Sequence, residues 1–203
     1  MSAGLLSLES VLVRLPVVLF ALTLHEYMHA YVAYRCGDPT AYRAGRVTLN
    51  PLPHLDLLGT ICLMVGPIGW AKPVPVNPYN YGKPRRDEIL VSGAGVAANF
   101  VLAAVLALVV RGLVWLNLVP QTEMGRILWA MLSTAIFVNF ALAIFNLLPI
   151  APLDGSHIVM ELLPWRARER YAAAMRYGPF ILLGLLAGDE GAWRVWEAIA
   201  SLK

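Results

Sequence analysis

Three long apolar runs decide what this chain can become. One begins near Val11 and continues past Tyr31, a second follows Asp87 as far as Leu116, and a third extends from Arg126 to Leu148. A helix needs about 20 mostly apolar residues to cross a bilayer, and in lipid each backbone polar group must be satisfied within its own segment. Such runs therefore predict helices. Composition agrees: hydrophobic residues make up 59% of the chain and charged residues 14%, against roughly 45–50% and 25% in soluble domains. The expected fold is all-α, a polytopic membrane helix bundle of about four spanning helices, built as a single membrane-embedded domain over residues 1–203.

The first run is interrupted by polar groups. Ala21 to Ala30, ALTLHEYMHA, sets His25, Glu26 and His29 between apolar flanks. An acid at a helix centre in the membrane costs roughly 2.5–3.5 kcal/mol, so three polar groups here require a reason. Zinc supplies one: residues four apart share a helix face, so His25 and His29 can bind one ion while Glu26 acts on water beside it. The competing reading, a pair of helix histidines facing solvent, is disfavoured by the apolar flanks. Two histidines leave a catalytic zinc one protein ligand short, and Asp154 is the expected third. It follows the break that Pro149 and Pro152 make after the third run. Asp154 also suits the N-cap of a helix from Gly155 to Leu163, and both roles can hold together. His54 and His157 are expected in polar loops, as non-ligands. Cys36 and Cys62 have no CxxC spacing and read as small apolar fillers.

In chain order, helix one is expected from about Leu8 to Arg35, retained rather than cleaved as a leader, with Gly37 as its stop signal. The Gly-, Pro-, Asn- and Asp-rich stretch after it reads as loop, with room for short strands around Arg46 to Leu49. Leu57 to Ala71 is apolar but only 15 residues long and holds three glycines and a proline, which predicts a re-entrant or surface segment. Lys72 to Tyr81 is expected to be extended, because prolines 73, 75 and 78 forbid a helix interior. Helix two is expected from Asp87 to Leu116, its first half rich in small residues that allow close helix contact. Helix three runs from Arg126 to Leu148. A fourth helix is expected over Tyr171 to Ala187, and an interfacial helix over Ala192 to Lys203.

Basic residues cluster in two loops: Arg43, Arg46, Lys72, Lys83, Arg85 and Arg86 in one, Arg166, Arg168 and Arg170 in the other. If the 57–71 segment does not cross, both loops lie in the cytoplasm, the N-terminus lies outside, and the polar turn sits nearer the cytoplasmic face. The net charge of +3 and pI near 9.0 are explained by this topology, so no nucleic-acid partner is expected.

HEYMHA, SGAGVAANF and NLLPIAPLDG together resemble the signature regions of the site-2 protease family of intramembrane zinc metalloproteases. GDPTAYRAGRVTLNPLPHLDLLGT and GWAKPVPVNP resemble its compact bacterial and archaeal members, and the likeness covers about Val11 to Ile158. It implies Zn2+ held by His25, His29 and Asp154, Glu26 as the catalytic acid/base, and cleavage within the membrane of another protein's transmembrane segment. It also implies a multi-pass cell-membrane location and a compact chain without a PDZ or CBS domain. Asn99 and Asn146 are candidates to bind the substrate backbone or the oxyanion, with interhelical packing as the alternative; Asn139 is expected to pack. The extended segment, or a strand near Val47, is expected to pair with the unwound substrate. Two other classes remain: a transporter or metal permease, motivated by the interrupted helices, and a catalytically silent membrane scaffold.

Overall fold

The computed structural model describes residues 8–65 and 70–186. Eight α-helices occur there: α1 Leu8–Arg35, α2 Thr40–Arg43, α3 Leu57–Val65, α4 Pro84–Trp115, α5 Glu123–Leu147, α6 Asp154–Leu162, α7 Trp165–Met175 and α8 Gly178–Leu186. Packing centres on α4, which contacts α1, α5 and α6, while α1 also touches α5.

Local chemistry sets the boundaries. α1 stops where Gly37 takes φ 103° and the Asp38 N–H returns to the Ala33 carbonyl at 2.9 Å, a left-handed turn that glycine adopts at little cost. α4 begins three residues before the expected Asp87. Pro84 occupies its first turn, where a missing N–H costs nothing, and the Asp87 carboxylate reaches back to accept the Lys83 N–H at 2.7 Å. Thr122 caps α5 by accepting the Gly125 N–H at 3.2 Å.

α4 and α5 are long and apolar enough to cross a membrane, and only 17% and 11% of their most apolar windows are buried within the protein. A core helix of a soluble domain would hide most of that surface; these two expose it. Among the described residues they are the two that meet this test, so two of the roughly four expected spans have structural support. α1 is long enough, at 28 residues, but carries the polar turn.

Other expectations change. Arg46–Leu49 form no strand; the single β-bridge among the described residues joins Leu55 to Ala71. As far as it is described, α3 covers nine residues, and the chain is already non-helical at Trp70, so the segment is too short to span as a helix. The expected helix over Tyr171 to Ala187 is two helices as far as the structure describes it, separated at Arg176 and Tyr177. Pro179 near the start of α8 lacks an N–H and its ring crowds the preceding turn, which favours a break there. Ala187 and the expected interfacial helix over Ala192–Lys203 lie outside the described residues.

Candidate metal centre

α1 brings His25 and His29 one turn apart with ring centroids 4.6 Å from each other. Both are buried, at 5% and 9% exposure. His29 Nδ1 lies 2.7 Å from the Val91 carbonyl of α4. A carbonyl only accepts, so Nδ1 carries the proton and Nε2 presents a lone pair.

That lone pair points into a tight triangle. His29 Nε2 stands 3.0 Å from His25 Nε2 and 3.3 Å from Asp154 Oδ2, and His25 Nε2 stands 3.1 Å from the same oxygen. An ionised carboxylate is an acceptor too, so the triangle holds more lone pairs than protons. A cation resolves the conflict. Donors 2.0–2.2 Å from one tetrahedral ion lie about 3.3 Å apart, close to the spacing found. Among the described residues, these three are the group of histidine, cysteine and acid side chains that comes together closely enough to hold a metal.

Asp154 reaches the histidines because α6 starts one residue earlier than expected. The N-cap is Leu153, and Asp154 is the first helical residue, without a capping hydrogen bond. Its carboxylate is free to turn toward α1. The return of the chain is tight: a Cβ on Gly155 would lie 2.2 Å from the Leu147 carbonyl oxygen, so only glycine lets α6 fold back onto the end of α5. Gly95 on α4 makes a second close approach. A Cβ there would lie 2.5 Å from His29 Nε2 and 2.7 Å from His25 Nε2. The sequence suggested Gly95 only as a small packing residue; its place against both rings was not visible there.

The triangle opens into a cavity of about 360 Å3, walled by Glu26, Trp70, Val74, Phe145 and Asn146 among others. Glu26 Oε2 accepts the Val74 N–H at 3.0 Å. That bond ties the catalytic candidate to the segment after residue 70. Asn146 lines the cavity and donates to the Leu142 carbonyl at 3.0 Å. Asn99 is fully buried, and neither end of its amide has a partner among the described residues. Asn139 is buried as well and donates to the Ala135 carbonyl at 2.8 Å.

The other two histidines stand apart from the triangle. His54 is buried in a 3-10 turn rather than an open loop; its Nε2 meets the Thr48 carbonyl at 2.9 Å. His157 sits on α6, not in a loop, and pairs through Nδ1 with Glu88 at 3.3 Å. That pair borders the cavity and carried no sequence signal, because 69 residues of chain separate its members. Cys36 and Cys62 are half-buried and unpaired.

Comparison with known proteins converges on one family. The model of peptidase family M50 matches residues 116–186, a stretch that includes Asp154. "Putative zinc metalloprotease YwhC" of Bacillus subtilis is 41% identical over 196 residues, covering 96% of this chain and 88% of the relative. "Putative zinc metalloprotease Rip2" of Mycolicibacterium smegmatis is 32% identical, over 83% of this chain and 64% of the relative. The protein of that name from Mycobacterium tuberculosis H37Rv is 31% identical, over 86% and 67%. No solved structure matches.

Proposed function

The chain belongs to peptidase family M50, the site-2 protease family, and is a zinc metalloprotease, and from that premise we propose that it cleaves transmembrane segments of other proteins within the membrane. The observation that carries this reading is the convergence of His25 Nε2, His29 Nε2 and Asp154 Oδ2 beside Glu26, at one end of a bundle whose α4 and α5 turn apolar surface outward.

His25, His29 and Asp154 would hold the zinc. Bound there, zinc supplies a Lewis acid that lowers the pKa of water and polarises the scissile carbonyl. Glu26 takes the proton of the attacking water and returns it to the leaving amine. The Val91 carbonyl fixes the His29 tautomer, so that the nitrogen facing the site is the one without a proton. Asn146, at the cavity wall, is placed to donate to the substrate backbone; Asn99 is fully buried and is not among the residues that line the cavity.

A helical substrate must unwind before attack, since its carbonyls are engaged in its own hydrogen bonds. The segment after Ala71 supports this step. Pro73 and Pro75 have no N–H, and among the described residues the Val76 N–H and the carbonyls of Val74, Pro75 and Val76 have no hydrogen-bond partner. These groups can receive an extended backbone by strand addition. The chain is multi-pass, its site lies nearer the cytoplasmic face, and α3 dips without crossing, which keeps both basic loops on one side.

Glu26→Gln tests the reading. In proteoliposomes holding a dye-labelled single-span peptide, the variant keeps its zinc and loses cleavage. Cleavage retained by Glu26→Gln would remove Glu26 from the chemistry and sink the mechanism.

A further inference from the structure

We propose that Arg46 is a positioning residue of the hydrolytic site, holding the segment 72–77 so that the Val74 N–H fixes the carboxylate of Glu26. The inference rests on the reading of Glu26 above.

The segment is held at three points. At its start, the Arg46 guanidinium donates from Nη2 to the Lys72 carbonyl and from Nη1 to the Pro73 carbonyl at 3.2 Å. In the middle, Val74 donates to Glu26 at 3.0 Å. At its end, Asp38 accepts the Asn77 N–H at 2.6 Å and the Asn80 side-chain amide at 2.8 Å. Lys72 and Val74 each precede a proline and are confined to extended backbone. A short, stiff segment gripped at residues 72 and 73 therefore has little freedom left at residue 74.

Arg46 is built for that grip. It is 5% exposed, although it sits in a loop of a chain whose other arginines are mostly at the surface. A planar guanidinium can engage two adjacent carbonyls at once; an ammonium is a compact point charge and cannot reproduce the fork. His54 backs it. The His54 Nε2–H donates to the Thr48 carbonyl, which leaves Nδ1 as an acceptor facing Arg46 Nη2 at 3.4 Å. Burial, with the Arg46 charge adding to it, lowers the His54 pKa and keeps the ring neutral. Burial lowers the Arg46 pKa, and the negative charge of Glu26 opposes that in part through space. Arg46 thus holds the backbone whose Val74 N–H binds the catalytic carboxylate.

A carboxylate whose direction is lost by about 1 Å loses on the order of 100-fold in rate. The test uses the full chain in proteoliposomes with the dye-labelled single-span peptide, and reads kcat, KM and zinc content separately. Arg46→Ala is expected to keep zinc and to lose roughly 10- to 100-fold in kcat, with KM changed far less. Added guanidinium is expected to restore part of that loss, methylammonium less, and Arg46→Lys is expected to stay impaired. Val74→Pro deletes the N–H in backbone that is already extended; it should reproduce the kcat loss with Arg46 intact, and the double variant should be no worse than either single one. If Arg46→Ala does not fold, Val74→Pro alone decides. An unchanged kcat in Val74→Pro, a loss confined to KM, or additive losses in the double variant would each overturn the proposal. Failure of the underlying reading shows elsewhere, as cleavage by Glu26→Gln.

Discussion

One helix holds two opposite solutions to the same problem. In the first half of α4 the buried residues are Asp87, Val91, Ser92, Ala94, Gly95 and Asn99; in the second half only Ala103 is buried. Beyond it, Val105, Leu108, Val109, Val114 and Trp115 are exposed, Leu108 at 68%. The half that packs is small and polar, and the half that faces outward is large and apolar. This inverts a soluble domain, and the cause is the solvent. Lipid tails are as apolar as leucine, so large side chains gain little by leaving them, whereas small residues let helices close around polar groups. At 32 residues, α4 runs about 48 Å against a hydrocarbon core of about 30 Å, so the two halves need not share one environment.

Gly95→Ala probes the packed half most severely. Its Cβ would enter the space between the two imidazoles. Losing a partner that merely supports a metal ligand costs 10- to 100-fold in affinity; a methyl group inside the site should exceed that, with cleavage falling in parallel. Elemental analysis after dialysis against a chelator measures the zinc. In the outward half, Leu108→Ala should leave both zinc and cleavage within about 2-fold, since exposed changes rarely matter. A Gly95→Ala protein with full zinc would erase the distinction between the halves.

Leu108→Lys attacks the other half. At the middle of a spanning helix a lysine costs roughly 2.5–3.5 kcal/mol of insertion free energy. In a microsomal translation assay with glycosylation sites flanking α4, the inserted fraction should fall sharply. If insertion is unchanged, lipid is not what covers this surface.

The contrast between the halves also explains what the sequence disclosed. Apolar runs and stop signals are local, so α1 was expected to end at its observed Arg35, and α4 and α5 were expected within three residues of their observed ends. The first turn of α4 was missed because the back-bond from Asp87 to Lys83 has no signal in hydropathy. The metal-binding candidates were legible as residue types, since histidines and acids are conspicuous in an apolar chain. What stayed hidden were long-range contacts of ordinary residues: Gly95 against the imidazoles, and Arg46 reaching carbonyls 26 and 27 residues away. Asp154 shows the same limit at one-residue scale. A shift from N-cap to first helical residue exchanges a capping bond for a turn toward α1, and no propensity rule resolves that difference.

An effect on stability alone is expected at Asp38, in the loop that anchors the far end of the segment crossing Glu26. Its carboxylate is fully buried and accepts from the Thr40 N–H and hydroxyl, the Asn77 N–H and the Asn80 amide. Burial pushes its carboxyl up, but the donors from Thr40, Asn77 and Asn80 outweigh it and hold it below the ordinary value. A lowered folded-state pKa means stability that is complete above the unfolded value, about pH 4, and that is lost as pH falls through the folded one. Asp38→Asn keeps one acceptor oxygen and loses the charge, which should cost about 1–2 kcal/mol near neutral pH. Thermal unfolding in detergent should show that cost flat from pH 7 down to about pH 5 and shrinking below pH 4. Zinc content should stay unchanged, because Asp38 touches the segment and not the metal-binding candidates. A cost independent of pH throughout would mean that the shape of the loop, rather than the charge of Asp38, anchors the segment.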